Sequence, residues 1–305
     1  MRRREFLAAS LAARFALAKQ RIGPARISAI SDEIARTPAD AIAFLKQYGL
    51  HAVELRGVPG ARSTYAFLPE PELRVAAREF AENGIRVSFL NTPMLKFTLP
   101  GTSPVRRRPE TEEQRRNRIA ADEARFERRM DDLRKAINAA HILGVDRVRV
   151  FTFLRVEEPM ALLPRIAEIL SEMAEAAGRE KVRLLVENEG STNVGTCAET
   201  AALMKLLPSK WIGINWDALN GLSRQETPFP DGYNLLPNKR IGNVQIKGRS
   251  VLKGPQWLDW AAIFRALDKD GYSGYVGLET HIFGETQIQA SHDSMREILR
   301  ITGVS

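Results

Sequence analysis

The feature that most constrains this chain is an alternation of short and long segments. Short β-branched or apolar runs occur at Arg26–Ile30, Ala52–Arg56, Arg86–Leu90, Arg147–Phe151, Arg183–Glu187, Ile212–Asp217, Asn243–Lys247 and Tyr275–Glu279. Between them lie stretches with helical periodicity, at Pro38–Tyr48, Pro71–Glu82, Glu110–Leu143, Pro159–Ala177, Cys197–Leu206 and Trp257–Asp270. Gly49, Gly84, Gly144 and Gly271 precede strands, where glycine supplies the left-handed stop of a helix. Strand–helix alternation predicts a parallel sheet. Eight units with no leftover domain predict closure into an α/β (β/α)8 TIM barrel, and 305 residues suffice for one.

The gap between the third and fourth strands is the longest. Pro100, Gly101, Pro104 and Pro109 predict a loop over the barrel mouth, followed by a long charged helix. Much of the formal charge of +8 lies there and at the N-terminus. From Arg106 to Lys135 the basic residues alternate with Glu112, Glu113, Glu123 and Asp131, which predicts a solvated helix laced with ion pairs. The stretch lacks interleaved aromatics and any nucleic-acid motif, so no nucleic-acid partner is expected. The single cysteine, Cys197, excludes an internal disulfide and a cysteine-rich zinc site.

Residues 1–18 read as an export signal preceding a barrel domain of residues 19–305. Arg2, Arg3 and Arg4 open the chain, an alanine-rich apolar run follows, and Ala16, Leu17 and Ala18 form a small-residue cleavage pattern. Arg3-Arg4-x-Phe6-Leu7 resembles the twin-arginine signal, which implies export of a folded protein to the periplasm. Its removal takes away four arginines and one glutamate and lowers the charge from +8 to +5. No other segment approaches the roughly 18 apolar residues of a membrane span.

Side-chain parity points to a site. Successive strand residues face opposite sides, and in a barrel the outward set meets the helices. Leu184 and Val186, Ile212, Ile214 and Trp216, Val244 and Ile246, and Val276 and Leu278 take the outward phase. Glu187, Asn215, Asp217, Asn243, Gln245, Lys247, Gly277 and Glu279 therefore point inward, as do Glu54 and Arg56 on the second strand. Buried acids are costly unless paired or bound to metal. Two resolutions are open: a divalent cation at their focus, or ion pairs with Lys247, Arg56 or Arg149. Four scattered histidines argue against an imidazole-rich zinc cluster. His281 stands at the mouth, His51 and His141 read as packing or surface residues, and His292 lies in the last helix with no clear partner.

Several segments carry a family likeness. Glu187-Asn188-Glu189-Gly190 resembles the fifth-strand glutamate motif of the sugar phosphate isomerase/epimerase (xylose-isomerase-like) family, and Trp216-Asp217-Ala218-Leu219-Asn220 its sixth-strand aspartate motif. Arg240 to Lys247 resembles its seventh-strand segment, and Gly271 to Glu279 its eighth-strand approach and terminal glutamate. Ala139 to Phe151 resembles its fourth unit. The likeness implies a divalent cation held by Glu187, Asp217, Gln245 and Glu279. Gln245 stands where the family has histidine, and Gly248 where aspartate is usual. An all-oxygen set favours Mg²⁺ or Mn²⁺.

The implied chemistry is proton abstraction beside a carbonyl through a metal-stabilised enediolate, with Glu187 and Glu279 as catalytic base and acid. The implied substrate is a sugar or polyol ketone, with Lys247, Glu54, Asn91 and His281 as candidate contacts. A lyase acting on a cyclic polyol ketone uses the same enediolate, and a non-catalytic carbohydrate-binding barrel is the alternative of a different class. A homo-oligomer is compatible with this reading.

Overall fold

The computed structural model describes residues 21–105 and 108–303. The expected export segment lies outside the described residues. Eight parallel strands form a nearly closed barrel: β1 (Ile27–Ala29), β2 (Ala52–Leu55), β3 (Arg86–Leu90), β4 (Arg147–Val150), β5 (Arg183–Glu187), β6 (Ile212–Asp217), β7 (Ile241–Lys247) and β8 (Tyr275–Glu279). β1 pairs with β8, and each later strand pairs with the one before it down to β2. A parallel bridge between Ile30 and Glu54 joins the last open edge.

The longer helices are α1 (Pro38–Gln47), α2 (Glu70–Glu82), α3 (Glu112–Glu127), α4 (Arg129–Leu143), α5 (Pro159–Arg179), α6 (Cys197–Leu206), α7 (Trp260–Lys269) and α8 (Gln287–Ile301). Their starts are written in the sequence. Thr37 caps α1 by accepting from the Asp40 N–H, with Pro38 preset in the first turn. Thr111 with Gln114, and Thr196 with Glu199, form reciprocal capping boxes. The four expected glycine stops all adopt φ between 63° and 71°.

The single long helix expected over Glu110–Leu143 is two helices, broken at Arg128, whose ψ is 6°. The reason lies in the apolar pattern. α4 buries Leu133, Ala136, Ile137, Ala139, Ala140 and Leu143 against the barrel, whereas α3 buries only Asp122. A continuous rod would not serve both surfaces. The expected ion pairs are present: Arg118 with Glu110 at 2.7 Å, Arg125 with Asp122 at 3.2 Å, Arg128 with Asp132 at 3.4 Å and Arg129 with Glu172 at 3.0 Å. The segment after β3 follows the end of β4 rather than standing free, with Phe151 N–H donating to Met94 O and Phe153 N–H to Leu95 O.

The outward residues Leu184, Val186, Ile214, Trp216, Val244, Ile246, Val276 and Leu278 are fully buried under the helices. Each such side chain contributes about 1.5–3 kcal/mol. That shell fixes the strand phase and with it the inward set. Among the described residues no helix is long and apolar enough to cross a membrane.

Candidate active site

The inward residues meet in two tiers. The outer tier, at the C-terminal ends of the strands, holds Glu187, Asp217 and Glu279. One oxygen from each lies within 4.8 Å of the others, and all three residues are buried. The last residues of β5, β6 and β8 supply them, which is where barrel enzymes place their chemistry.

Each acid is held through one oxygen. Glu187 Oε2 accepts from Arg149 (2.9 Å) and Asn215 (2.9 Å). Asp217 Oδ1 accepts from the backbone N–H groups of Leu219 and Asn220, the side-chain-to-backbone turn that short acids favour. Asn188 brackets the Asp217 backbone, donating to its carbonyl and accepting from its N–H at 2.8 Å each. Glu279 Oε1 accepts from Arg56 at 3.2 Å. Asp217 Oδ2 and Glu279 Oε2 remain buried with no hydrogen bond.

Lys247 supplies the positive charge at this focus. Its Nζ is 3.2 Å from Asp217 Oδ2 and 4.0 Å from Glu279 Oε2, and it donates to Asn220 Oδ1. Three acids share this one ammonium, so their protonation is uneven. Burial, opposed by Lys247 and reinforced by Glu279 and Glu187, pushes Asp217 up to about 7. Burial also raises Glu187, against the pull of Arg149. Despite burial, Lys247 and then His281, Arg56 and Arg149 hold Glu279 well below the usual carboxylate range. The same acids push Lys247 upward, so it stays charged.

The inner tier is a carboxamide network around Glu54. This fully buried carboxyl accepts from Asn243 (3.0 Å), Asn91 (2.9 Å), Gln245 (3.3 Å) and Ser28 (3.4 Å). Its reach across the barrel needs Gly277 on β8, where a Cβ would lie 1.9 Å from Glu54 Oε1. Gln245 Nε2 also donates to Asn91 Oδ1 (3.3 Å), and Gln245 Oε1 accepts from Asn215 (3.0 Å).

The expected residues are thus sorted by depth. Glu187, Asp217, Glu279 and Lys247 come together at the mouth. Gln245, beside Asp217 in the β6–β7 register, is tied at both ends of its amide to the inner tier. Glu54 and Asn91 are both fully buried and support Gln245 from beneath. His281 is half-exposed at φ 49°, with Nδ1 3.7 Å from Glu279 Oε1 and its backbone N–H donating to Glu33 Oε2 at 2.6 Å. Of the other histidines, His292 packs on Phe44 and meets the Tyr48 hydroxyl at 2.9 Å.

Glu33 and Asp32 escaped the sequence reading. They lie on the one-turn helix Ser31–Ile34 directly after β1, and both bind Arg56, at 2.8 and 3.0 Å. Two acids immediately past a strand's C-terminal end were the available signal. Their consequence is that Arg56 is shared among three carboxylates, which push its pKa up despite burial.

The acids fit a divalent cation. Asp217 Oδ2 and Glu279 Oε2 make no hydrogen bond, Glu187 lies close by, and a divalent cation would offset the negative charge that Lys247 shares among the three acids. The donors of Glu187, Asp217 and Glu279 are all oxygens, and Glu33, Glu279 and His281 form a second, neighbouring group that adds an imidazole nitrogen.

Fold and site together define a parallel β/α barrel with an acid-lined C-terminal mouth. The chain belongs to the xylose isomerase-like TIM barrel family, whose model matches residues 42–298. No curated protein matches it by sequence. The fold is similar to that of 3-keto-D-glucoside 4-epimerase from E. coli in its apo form, with TM-score 0.64, 16% identity, and coverage of 90% of this chain and 99% of that one. It is similar to a Bacillus anthracis protein named the probable 3-DHS dehydratase of petrobactin synthesis, with TM-score 0.65, 13% identity and coverage of 90% and 98%. A xylose isomerase-like TIM barrel protein from Mycobacterium smegmatis in complex with magnesium gives TM-score 0.62, 15% identity and coverage of 92% and 98%.

Proposed function

We propose that the protein is a divalent-metal-dependent isomerase or epimerase of a sugar or related polyol ketone. The observation that carries this reading is the convergence of Glu187, Asp217 and Glu279 with two unbonded buried oxygens. The similar fold of a sugar epimerase and of a magnesium-bound family member supports it.

Glu187, Asp217 and Glu279 would hold the cation, with Gln245 contributing its Oε1, and the all-oxygen set favours Mg²⁺ or Mn²⁺. When bound, such an ion supplies Lewis-acid polarisation of the substrate carbonyl. The chain's own groups move the proton. Glu279, held ionised by Lys247, His281 and Arg56, takes it from the carbon beside the carbonyl. Glu187 has Oε2 occupied by Arg149 and Asn215, so Oε1 is the oxygen left to return a proton. Lys247 stabilises negative charge developing on the substrate oxygen. His281 lies at the rim, where it contacts an entering substrate. Glu54 and Asn91 act indirectly, by fixing Gln245.

A dehydratase reading shares every one of these steps up to the enediolate, and the similar fold of the dehydratase named above favours keeping it. A binding-only barrel is favoured by a different observation: Lys247 and Arg56 already neutralise part of the acid charge. One experiment separates the three. In D₂O with Mn²⁺ and a panel of ketoses and cyclic polyol ketones, an isomerase or epimerase incorporates deuterium beside the carbonyl and yields an isomer. A dehydratase yields an unsaturated product. Absence of both exchange and product across the panel, with ligand still bound, refutes the enzyme reading.

We also propose that residues 1–18 direct export and are removed. Mature protein starting near Lys19 in the periplasm is the expected result, and uncleaved chain confined to the cytosol refutes it.

A further inference from the structure

The opposite pole of the barrel carries charge that the mouth chemistry does not use. Arg86, Arg147 and Arg183 are the first residues of β3, β4 and β5, and Arg26 and Arg240 immediately precede β1 and β7. Arg26 has Asp268 at 3.3 Å. Arg147 and Arg183, which are register partners on adjacent strands, have no comparable acid. The acid beside Arg147 is Asp146, 3.8 Å from Nε and 38% exposed, and among the described residues neither Arg183 nor Arg240 has a carboxylate within 4.0 Å.

These guanidinium groups instead donate to backbone carbonyls along one edge. Arg147 reaches Gly242 O at 2.6 Å and Arg183 reaches Arg240 O at 3.0 Å. Arg240 is saturated by carbonyls before and at the start of β6, including Ser209 O at 3.0 Å and Ile212 O at 2.6 Å. Arg183 is not saturated: its Nε is buried with no acceptor. The sequence makes room for it with Gly213 on β6, where a Cβ would lie 2.4 Å from Arg183 NH2. Burial and then the neighbouring cations of Arg147 and Arg240 push the Arg183 pKa down to about 10. Clustered cations of this kind are costly unless an anion offsets them, and guanidinium forks match tetrahedral oxyanions in geometry as well as charge.

We propose that the N-terminal pole of the barrel binds a phosphate-type oxyanion at the paired guanidinium groups of Arg147 and Arg183, where Arg183 Nε has no acceptor. The ligand is either free phosphate or the phosphoryl group of a small metabolite. It binds at the end of the strands opposite the acids of the mouth.

The test is titration of the full-length protein with inorganic phosphate and, separately, with a sugar monophosphate, followed by calorimetry and thermal midpoint at ionic strength held constant with chloride. Saturable binding with a rising midpoint is expected. Losing one charge-assisted partner should weaken it about tenfold or more in Arg183→Gln and in Arg147→Gln. Asp217→Ala, which alters the mouth, should leave it unchanged. Tighter binding of the sugar monophosphate identifies a metabolite ligand, and binding of phosphate alone identifies the free ion. Should Arg183→Gln fail to fold, Arg147→Gln carries the test. The proposal is overturned if no saturation occurs up to tens of millimolar, if the folded arginine variants bind like wild type, or if Asp217→Ala abolishes binding.

Discussion

Replacing Lys247 by methionine tests the charge balance on which the site reading depends. The ammonium lies 3.2 Å from Asp217 Oδ2 and 4.0 Å from Glu279 Oε2, and all three side chains are at most 6% exposed. At an effective dielectric of about 20 those separations correspond to roughly 5 and 4 kcal/mol of attraction, before the cost of desolvation. Breaking a buried pair by removing one partner typically costs about 3–5 kcal/mol, and we expect Lys247→Met to fall in that range. For a chain of this size about 2–4 °C of midpoint accompanies each kcal/mol, so thermal unfolding in chelator should drop by about 6–20 °C. The cost should depend on pH with a definite sign. Asp217 is raised to about 7 in the folded protein from an ordinary value of 3.8, so the native state binds more protons than the unfolded state across that window. Stability contributed by this group is therefore lost as pH rises from about 4 to about 7. Without the ammonium the window extends higher, and the variant's deficit should be greater at pH 8 than at pH 5. Mn²⁺ should then stabilise the variant more than wild type, because the cation no longer competes with Lys247. A variant as stable as wild type in chelator at pH 8 would show that Lys247 is not the counter-charge. A variant that Mn²⁺ fails to rescue would place any cation elsewhere.

Three further perturbations address the same residues. Elemental analysis after Mn²⁺ or Mg²⁺ loading should give about one equivalent per chain, and Asp217→Ala should abolish it; full occupancy in that variant refutes the ligand set. Glu279→Gln keeps the shape of the side chain but removes its proton transfer, so turnover on any substrate found should fall about 10²–10⁴-fold with little change in substrate affinity. Gln245→His should retain metal and shift preference toward Co²⁺ or Zn²⁺ in competition titrations, because imidazole suits softer ions and Glu54 stands ready to accept its second N–H.

What the sequence settled on its own rests on local rules. The two-residue period of a strand distinguished Leu184 and Val186 from Glu187, and Val276 and Leu278 from Glu279, before any partner was known. The helix stops at Gly49, Gly84, Gly144 and Gly271 were equally local. Periodicity reports which face a residue occupies, but it does not say what that residue meets there. Glu54 and Asn243 are 189 positions apart and touch only because the sheet closes with a particular stagger. That closure put Glu54 and Asn91 beneath Gln245 rather than at the open mouth, and it brought Arg56 to Asp32, Glu33 and Glu279 at once. The break at Arg128 likewise followed from where the barrel surface lies, which the charged run could not reveal. The sequence determined the barrel and its inward acids because the hydrophobic shell is satisfied strand by strand. Only the tertiary structure decided the hydrogen bonds and ion pairs of the interior, because each depends on the relative height of residues on different strands, which the stagger of the closed sheet sets.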